Sequence, residues 1–156
     1  FPAAIGVQIA HPKSLVICVA GEASFLMNLQ ELSTVKQYRL PVKVFILNNK
    51  YLGMVRQWQE FFHGGRYSES YTDSLPDFVK LAESYGIKGV RASHPEDLEK
   101  VIDDIINYDG PVIADICVDE KENVFPMIPS GAAHNEMKLK DSDNIATSTK
   151  EGKMLV

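Results

Sequence analysis

The chain has 156 residues, 45% of them hydrophobic, and a net charge of −5. That suits one globular domain with a real core and is too short for two large ones. The acidic balance and the lack of any Lys/Arg stripe speak against a nucleic-acid surface, and no apolar stretch approaches the roughly 20 residues that span a bilayer. Cys18 and Cys117 both fall in apolar runs and read as buried free thiols in a reducing compartment. The four histidines are scattered and offer no zinc spacing. The chain opens on Phe1-Pro2 instead of Met, so it reads as a piece of something longer, with any targeting signal upstream.

Pro2 to Ala10 is predicted as a short helix with Pro in its first turn and Ala4, Ile5 and Ile9 buried. Leu15 to Ala20 is a continuous apolar run suited to a central parallel strand. It ends in the acidic turn Gly21-Glu22-Ala23-Ser24, where Ser24 can cap a helix that carries Phe25, Leu29, Leu32 and Val35 on one stripe. Leu40-Pro41 stops that pattern, and Val42 to Leu47 is a second buried strand ending in Asn48-Asn49. Leu52 to Phe62 has helical spacing, followed by a loop at His63-Gly64-Gly65-Arg66.

Ser74-Leu75-Pro76-Asp77 resembles a capping box ahead of Phe78, Val79, Ala82 and Tyr85, with Gly86 as the stop. Ser93-His94-Pro95-Glu96 does the same ahead of Leu98, Val101, Ile102, Ile105 and Ile106. Val112 to Val118 is the last strong strand. Phe125 to Gly131 is broken by prolines, and beyond Asn135 a polar composition points to a loose tail. Alternating strands and helices call for an α/β fold, a doubly wound parallel sheet with helices on both faces. Such a sheet binds its ligand at the carboxyl ends of its strands.

Both halves of one pattern fall at that edge. Glu22 offers a carboxylate and, roughly 24 residues after Ala23, Asn48-Asn49 offers side-chain amides. A magnesium ion takes about six oxygens, and Glu22, Asn49 and the Tyr51 carbonyl could supply three of them. Two diphosphate oxygens and a water would complete the shell, with the Ala23 and Ser24 N–H groups facing the phosphate. Each half alone reads as an ordinary helix cap or turn. From the residues alone, Trp58 reads as core packing, Arg56 as a solvated charge and Met54 as a gap-filler.

The pattern resembles the thiamine-diphosphate motif, in which an Asp-containing turn precedes Asn-Asn by a similar interval. More specifically, the chain to about Met137 resembles the C-terminal domain of the acetolactate synthase (acetohydroxyacid synthase) large catalytic subunits. The resemblance is carried by Phe1 to Gly6, Ser24 to Leu32, Leu40 to Lys43 and Leu47-Asn48-Asn49. Its most specific parts are Leu52-Gly53-Met54-Val55-Arg56-Gln57-Trp58 and Pro126-Met127-Ile128-Pro129-Ser130-Gly131. It implies a thiamine-diphosphate-binding domain over 1–137, with a polar, flexible tail over 138–156. It implies that Glu22, Asn49 and Tyr51 hold the metal, and that Gly21, Ala23, Ser24, Asn49, Gly53 and Met54 meet the cofactor. Trp58, Arg56 and Ser130 would line the substrate channel.

The resemblance further implies thiamine diphosphate and magnesium here, with FAD on another domain. The reaction would decarboxylate pyruvate and add the two-carbon unit to pyruvate or 2-ketobutyrate, a shared step of valine, leucine and isoleucine synthesis. A cytoplasmic homodimer or tetramer, a small regulatory subunit, and no nucleic acid or membrane are expected. The activating glutamate would lie on an absent domain, so no catalytic residue is expected in this chain and the fragment alone should be inactive. Glu22 and Ala23 replace the family's usual Asp and Gly, which lengthens the carboxylate arm and makes a left-handed turn at residue 23 costly. Another thiamine-diphosphate 2-keto-acid decarboxylase and a non-catalytic truncated relic are the alternatives.

Overall fold

The structure, a computed structural model, describes residues 1–140. It has two compact units. The first comprises 1–50 and 73–119, the second 51–72 together with the described residues from 120 onward.

The first unit contains α1 (Pro2–Ala10), β1 (Ile17–Gly21), α2 (Glu22–Leu26), α3 (Leu32–Tyr38) and β2 (Lys43–Asn48). After the second unit's α4 (Gly53–Phe62), it resumes with α5 (Phe78–Ser84), β3 (Lys88–Ala92), α6 (Pro95–Ile106) and β4 (Val112–Cys117). The four strands form one parallel sheet in the order β1-β2-β4-β3. Apolar side chains lie on both faces, as they must where helices cover a parallel sheet twice.

One face packs Val44, Ile46 and Ile113 against Phe25, Leu32, Val35, Phe78 and Ala82 from α2, α3 and α5. The opposite face packs Val112, Ala114 and Ile116 against Ile105 of α6. Phe25 and Phe78 are fully buried and meet edge to face at 6.2 Å, and burial of each contributes about 2–3 kcal/mol. This is the doubly wound α/β arrangement expected from the alternation of elements.

Several local expectations change. β1 is an edge strand of this sheet, with Ile17 45% and Val19 63% exposed, because only its Cys18 side faces the packed helices. In α1 the polar Gln8 is buried beside Ile5 while Ile9 is exposed; Gln8 Nε2 donates to the His11 and Ser14 carbonyls. The helix expected from Ser24 is interrupted. α2 begins at Glu22 with Gly21 as its N-cap, a 3₁₀ turn spans Leu29–Glu31, and α3 follows. Ser24 therefore lies within the first turn and does not cap it.

Asp77, not Ser74, caps α5, its Oδ1 accepting from the Val79 and Lys80 N–H groups at 3.0 and 3.3 Å. Cys18 is buried and Cys117 exposed, and both are free. Lys43 is buried in β2, where its ammonium donates to the Tyr108 and Gly110 carbonyls. Burial pulls its pKa below the ordinary lysine value.

In the second unit, α4 turns its polar residues inward, with Arg56 and Gln57 buried. Tyr51 bridges Tyr71, their rings 5.0 Å apart. Met127 pairs with Lys138 through backbone hydrogen bonds of 2.9 and 2.7 Å. The remainder of the polar segment expected over 138–156 lies, past Lys140, outside the described residues.

Candidate cofactor site

In the first unit, the β1–β2 register sets Gly21 opposite Leu47. Glu22 and the pair Asn48-Asn49 therefore leave two neighbouring parallel strands at the same edge of the sheet. Gly21 is extended (φ −77°), and a Cβ added there would meet nothing within 4 Å. Glu22 is almost fully buried. Its Oε1 accepts no hydrogen bond from protein, although the residue has other interactions. Ala23 is helical, so its side chain meets no left-handed strain and the expected penalty for replacing glycine does not arise. The first-turn N–H groups of α2 lack i−4 partners, and Gly21 gives them no side-chain cap.

Asn48 closes the turn beyond β2. Its Nδ2 donates to Asp115 Oδ1 at 2.9 Å, and its Oδ1 accepts from the Lys50 N–H at 3.2 Å. Lys50 is left-handed, with φ of 59°. Asp115 in turn accepts from Arg91 Nε at 2.9 Å, and Arg91 Nη2 reaches Asp77 Oδ1 at 3.0 Å. The hydrogen bond that Arg91 donates to Asp115 raises the Arg91 pKa, and the Lys80 N–H is the main cause of a lowered Asp77 pKa. Among the described residues there is no group of three or more His, Cys, Asp or Glu able to hold a metal ion. The donors available at this edge are one carboxylate and amide oxygens, which suit a hard cation that takes its remaining ligands from phosphate and water.

The structure thus brings Gly21, Glu22, Ala23, Ser24 and Asn49 to one edge of the first unit. Tyr51, Gly53, Met54, Arg56, Trp58 and Ser130 belong to the second unit. There, Gly53 opens α4, and Met54 and Trp58 project one turn apart on its exposed side. Trp58 is 36% exposed and packs on Phe62 at 4.7 Å, so it is not a core residue.

Arg56 is on the opposite side, 7% exposed, and is neither solvated nor on the Trp58 face. It pairs with Glu60 at 2.9 Å and donates to the Lys121 carbonyl and Asn123 Oδ1. Its guanidinium also lies over the Tyr51 and Tyr67 rings. Ser130 is exposed, next to a left-handed Gly131. Sequence reasoning missed Asp115 and Arg91. The available signal was a lone Asp inside the apolar strand Val-Ile-Ala-Asp-Ile-Cys.

Residues 1–116 match the family described as thiamine pyrophosphate enzyme, C-terminal TPP binding domain. The chain belongs to that family. The acetolactate synthase large subunit of Porphyra purpurea is 50% identical over 137 residues, covering 87% of this chain and 23% of that protein. Its counterpart in Haemophilus influenzae is 50% identical over 140 residues, 89% of this chain and 24% of that one. The isozyme 2 large subunit of Escherichia coli is 46% identical over 136 residues, 87% and 25%.

A solved Rhodococcus jostii thiamine diphosphate-dependent 4-hydroxybenzoylformate decarboxylase superposes with a TM-score of 0.71 at 29% identity, covering 78% of this chain and 23% of that one. The chain therefore spans about a quarter of the length of these relatives. As a TPP-binding domain, it has its buried carboxylate and its Asn-Asn turn where a doubly wound sheet receives a ligand. No helix among the described residues is long and apolar enough to cross a membrane.

Proposed function

We propose that this domain anchors the diphosphate of thiamine diphosphate through magnesium in an acetolactate synthase large subunit. The observation that carries the proposal is the placement of Glu22 and Asn49 at one sheet edge, in a chain half identical to such subunits over 137 residues. The Glu22 carboxylate and Asn49 amide hold the ion, and the first-turn N–H groups of Ala23 and Ser24 receive the phosphate. The positive charge of the ion would offset the cost of burying the Glu22 carboxylate.

Bound thiamine diphosphate supplies the carbon nucleophile that decarboxylates a 2-keto acid, and this domain binds and orients it. Pyruvate is the donor, and pyruvate or 2-ketobutyrate the acceptor. The exposed apolar side of α4, with Met54 and Trp58, contributes to the substrate channel together with Ser130. Arg56 braces that helix from within. FAD, a regulatory subunit, subunit assembly and the activating glutamate are assigned by the resemblance to parts other than these residues. The 156 residues are therefore proposed to bind cofactor without synthase turnover.

The test is calorimetric titration of the intact protein with thiamine diphosphate, with and without magnesium, beside Glu22→Ala. Binding that needs magnesium and is lost in the variant supports the reading; magnesium-independent binding, or equal binding by both proteins, overturns it. The likeness to a 4-hydroxybenzoylformate decarboxylase favours a second reading, decarboxylation without condensation. Acetolactate among the products that the full-length enzyme forms from pyruvate decides against that reading.

A further inference from the structure

We infer that Asp115 is a positioning residue for the cofactor turn, fixing the orientation of the Asn48 side chain and through it the Asn49-Lys50 backbone. The inference rests on the proposed role of Asn49 as a metal ligand.

Asp115 is a carboxylate in a strand whose neighbours Val112, Ile113, Ala114 and Ile116 are all buried, and it is itself 2% exposed. Burying a charge there is unfavourable unless partners compensate for lost water. Both of its oxygens are committed. Oδ2 accepts from Arg91 Nε, its direct neighbour in the β3–β4 register, and Oδ1 accepts from Asn48 Nδ2, each at 2.9 Å. Arg91 is held from its far end by Asp77, the cap of α5. The carboxylate is thus fixed from β3 and α5, and it points one acceptor at the end of β2.

That acceptor determines which way the Asn48 amide faces. With Nδ2 on Asp115, Oδ1 is turned to the Lys50 N–H at 3.2 Å. A flipped amide would set oxygen against carboxylate and NH₂ against N–H, so both contacts would become repulsive. The bond to Lys50 closes a turn in which Lys50 adopts φ of 59°, a conformation uncommon for a residue with a side chain. Asn49 lies between the two ends of this bridge. Residues that fix the surroundings of a metal ligand without touching the metal tune its affinity, and Asp115 does so here through the Asn48 side chain and the turn it closes.

The experiment exchanges the two residues in the intact protein. In Asp115→Asn, the new amide can satisfy Arg91 or Asn48 but not both. In the double variant Asp115→Asn with Asn48→Asp, every bond returns with the charge displaced by one side chain. The new residue at 115 donates to the one at 48 and accepts from Arg91, and the carboxylate at 48 still accepts from Lys50. Magnesium-dependent affinity for thiamine diphosphate is expected to fall roughly ten-fold or more in the single variant. In the double variant it should return to within about three-fold of the unaltered protein.

Hydrogen exchange at the Lys50 amide, measured without ligand, should accelerate and recover in parallel. Should the single variant fail to fold, Asn48→Ala replaces it, with the same loss of affinity expected. Unchanged affinity in the folded single variant overturns the inference, as does a double variant that regains Lys50 protection but not affinity. If the unaltered protein shows no magnesium-dependent binding while the exchange pattern follows the bonds, the metal-site assignment itself has failed, and the inference falls with it.

Discussion

Gln57 and Val124 are joined by two hydrogen bonds running in opposite senses. The Gln57 side chain donates to the Val124 carbonyl at 3.1 Å and accepts from the Val124 N–H at 2.7 Å. A side-chain amide here imitates a strand neighbour, tying α4 to the proline-broken segment at 124–127. Nε2 also contacts the Met127 sulfur. Burying glutamine in a helix is unfavourable without such partners, and this segment has no regular ladder of its own to satisfy those backbone groups.

Replacing Gln57 by Leu keeps most of the volume and leaves both Val124 groups without that partner. We expect a loss of about 2–3 kcal/mol, read as a shifted urea midpoint. A midpoint within error of the unaltered protein would show that water replaces the amide at no cost.

The packing of α5 on β3 gives a second stability prediction. A Cβ at Gly89 would come within 2.8 Å of the Val79 Cα and carbonyl oxygen, both backbone atoms that cannot rotate away. Gly89→Ala should therefore push helix from strand and cost roughly 1–3 kcal/mol. Thermal unfolding of the variant measures it, and an unchanged melting temperature would mean that the helix slides freely.

The same glycine explains one limit of the sequence. Periodicity located β2, β4, α5 and α6, whose apolar residues are dense and regularly spaced. Lys88-Gly89-Val90-Arg91-Ala92 has no such run, and it becomes a strand only because β4 pairs with it and Val79 needs its missing side chain. Leu15 to Ala20 is apolar at both parities, so its place at the edge of the described sheet was not legible. Glu22 and Asn49 drew attention as candidates because each closely follows an apolar run. The place of Asp115 within an apolar run marked it as unusual, but its role was not legible, since its partners Asn48 and Arg91 lie 67 and 24 residues away and meet it only through strand order. The inward turn of Arg56 was hidden for a similar reason, its partners coming from 121–123.

The longer acidic arm at residue 22 leads to a third prediction. Glu22 lies within a helical first turn, so its reach is fixed by that backbone. Glu22→Asp withdraws the oxygens by one methylene, about 1.5 Å, from the proposed cation site, and hard cations require closely set ligands. Magnesium affinity in the presence of thiamine diphosphate should drop roughly ten-fold, with manganese less affected. Titration with each ion is the measurement, and equal or tighter magnesium binding would show that the turn retreats to accommodate the longer residue.

Trp58 separates function from stability. Being one-third exposed and stacked on Phe62 alone among the aromatic pairs, it has little to lose on truncation to Leu. A stability cost of about 1 kcal/mol is expected. If α4 contributes to the channel, the ratio of acetolactate to acetohydroxybutyrate formed from mixed pyruvate and 2-ketobutyrate will change in the intact enzyme. An unaltered ratio with normal stability would remove Trp58 from the channel.

Acid sensitivity follows from Asp77. Its pKa is lowered from the ordinary 3.8, first by the Lys80 N–H and further by the Arg91 charge and the Val79 N–H. The folded chain therefore binds this proton less readily than the unfolded chain does. The group contributes fully to stability above pH 3.8 and progressively less as pH falls through its lower folded value. Asp77→Asn retains an N-cap acceptor but cannot titrate. Its stability should decline less steeply than that of the unaltered protein in this acid window, and the difference between the two urea-midpoint curves isolates Asp77 from the other carboxylates. Parallel curves would mean that the cap and the Arg91 pair do not distinguish the folded carboxylate from the unfolded one.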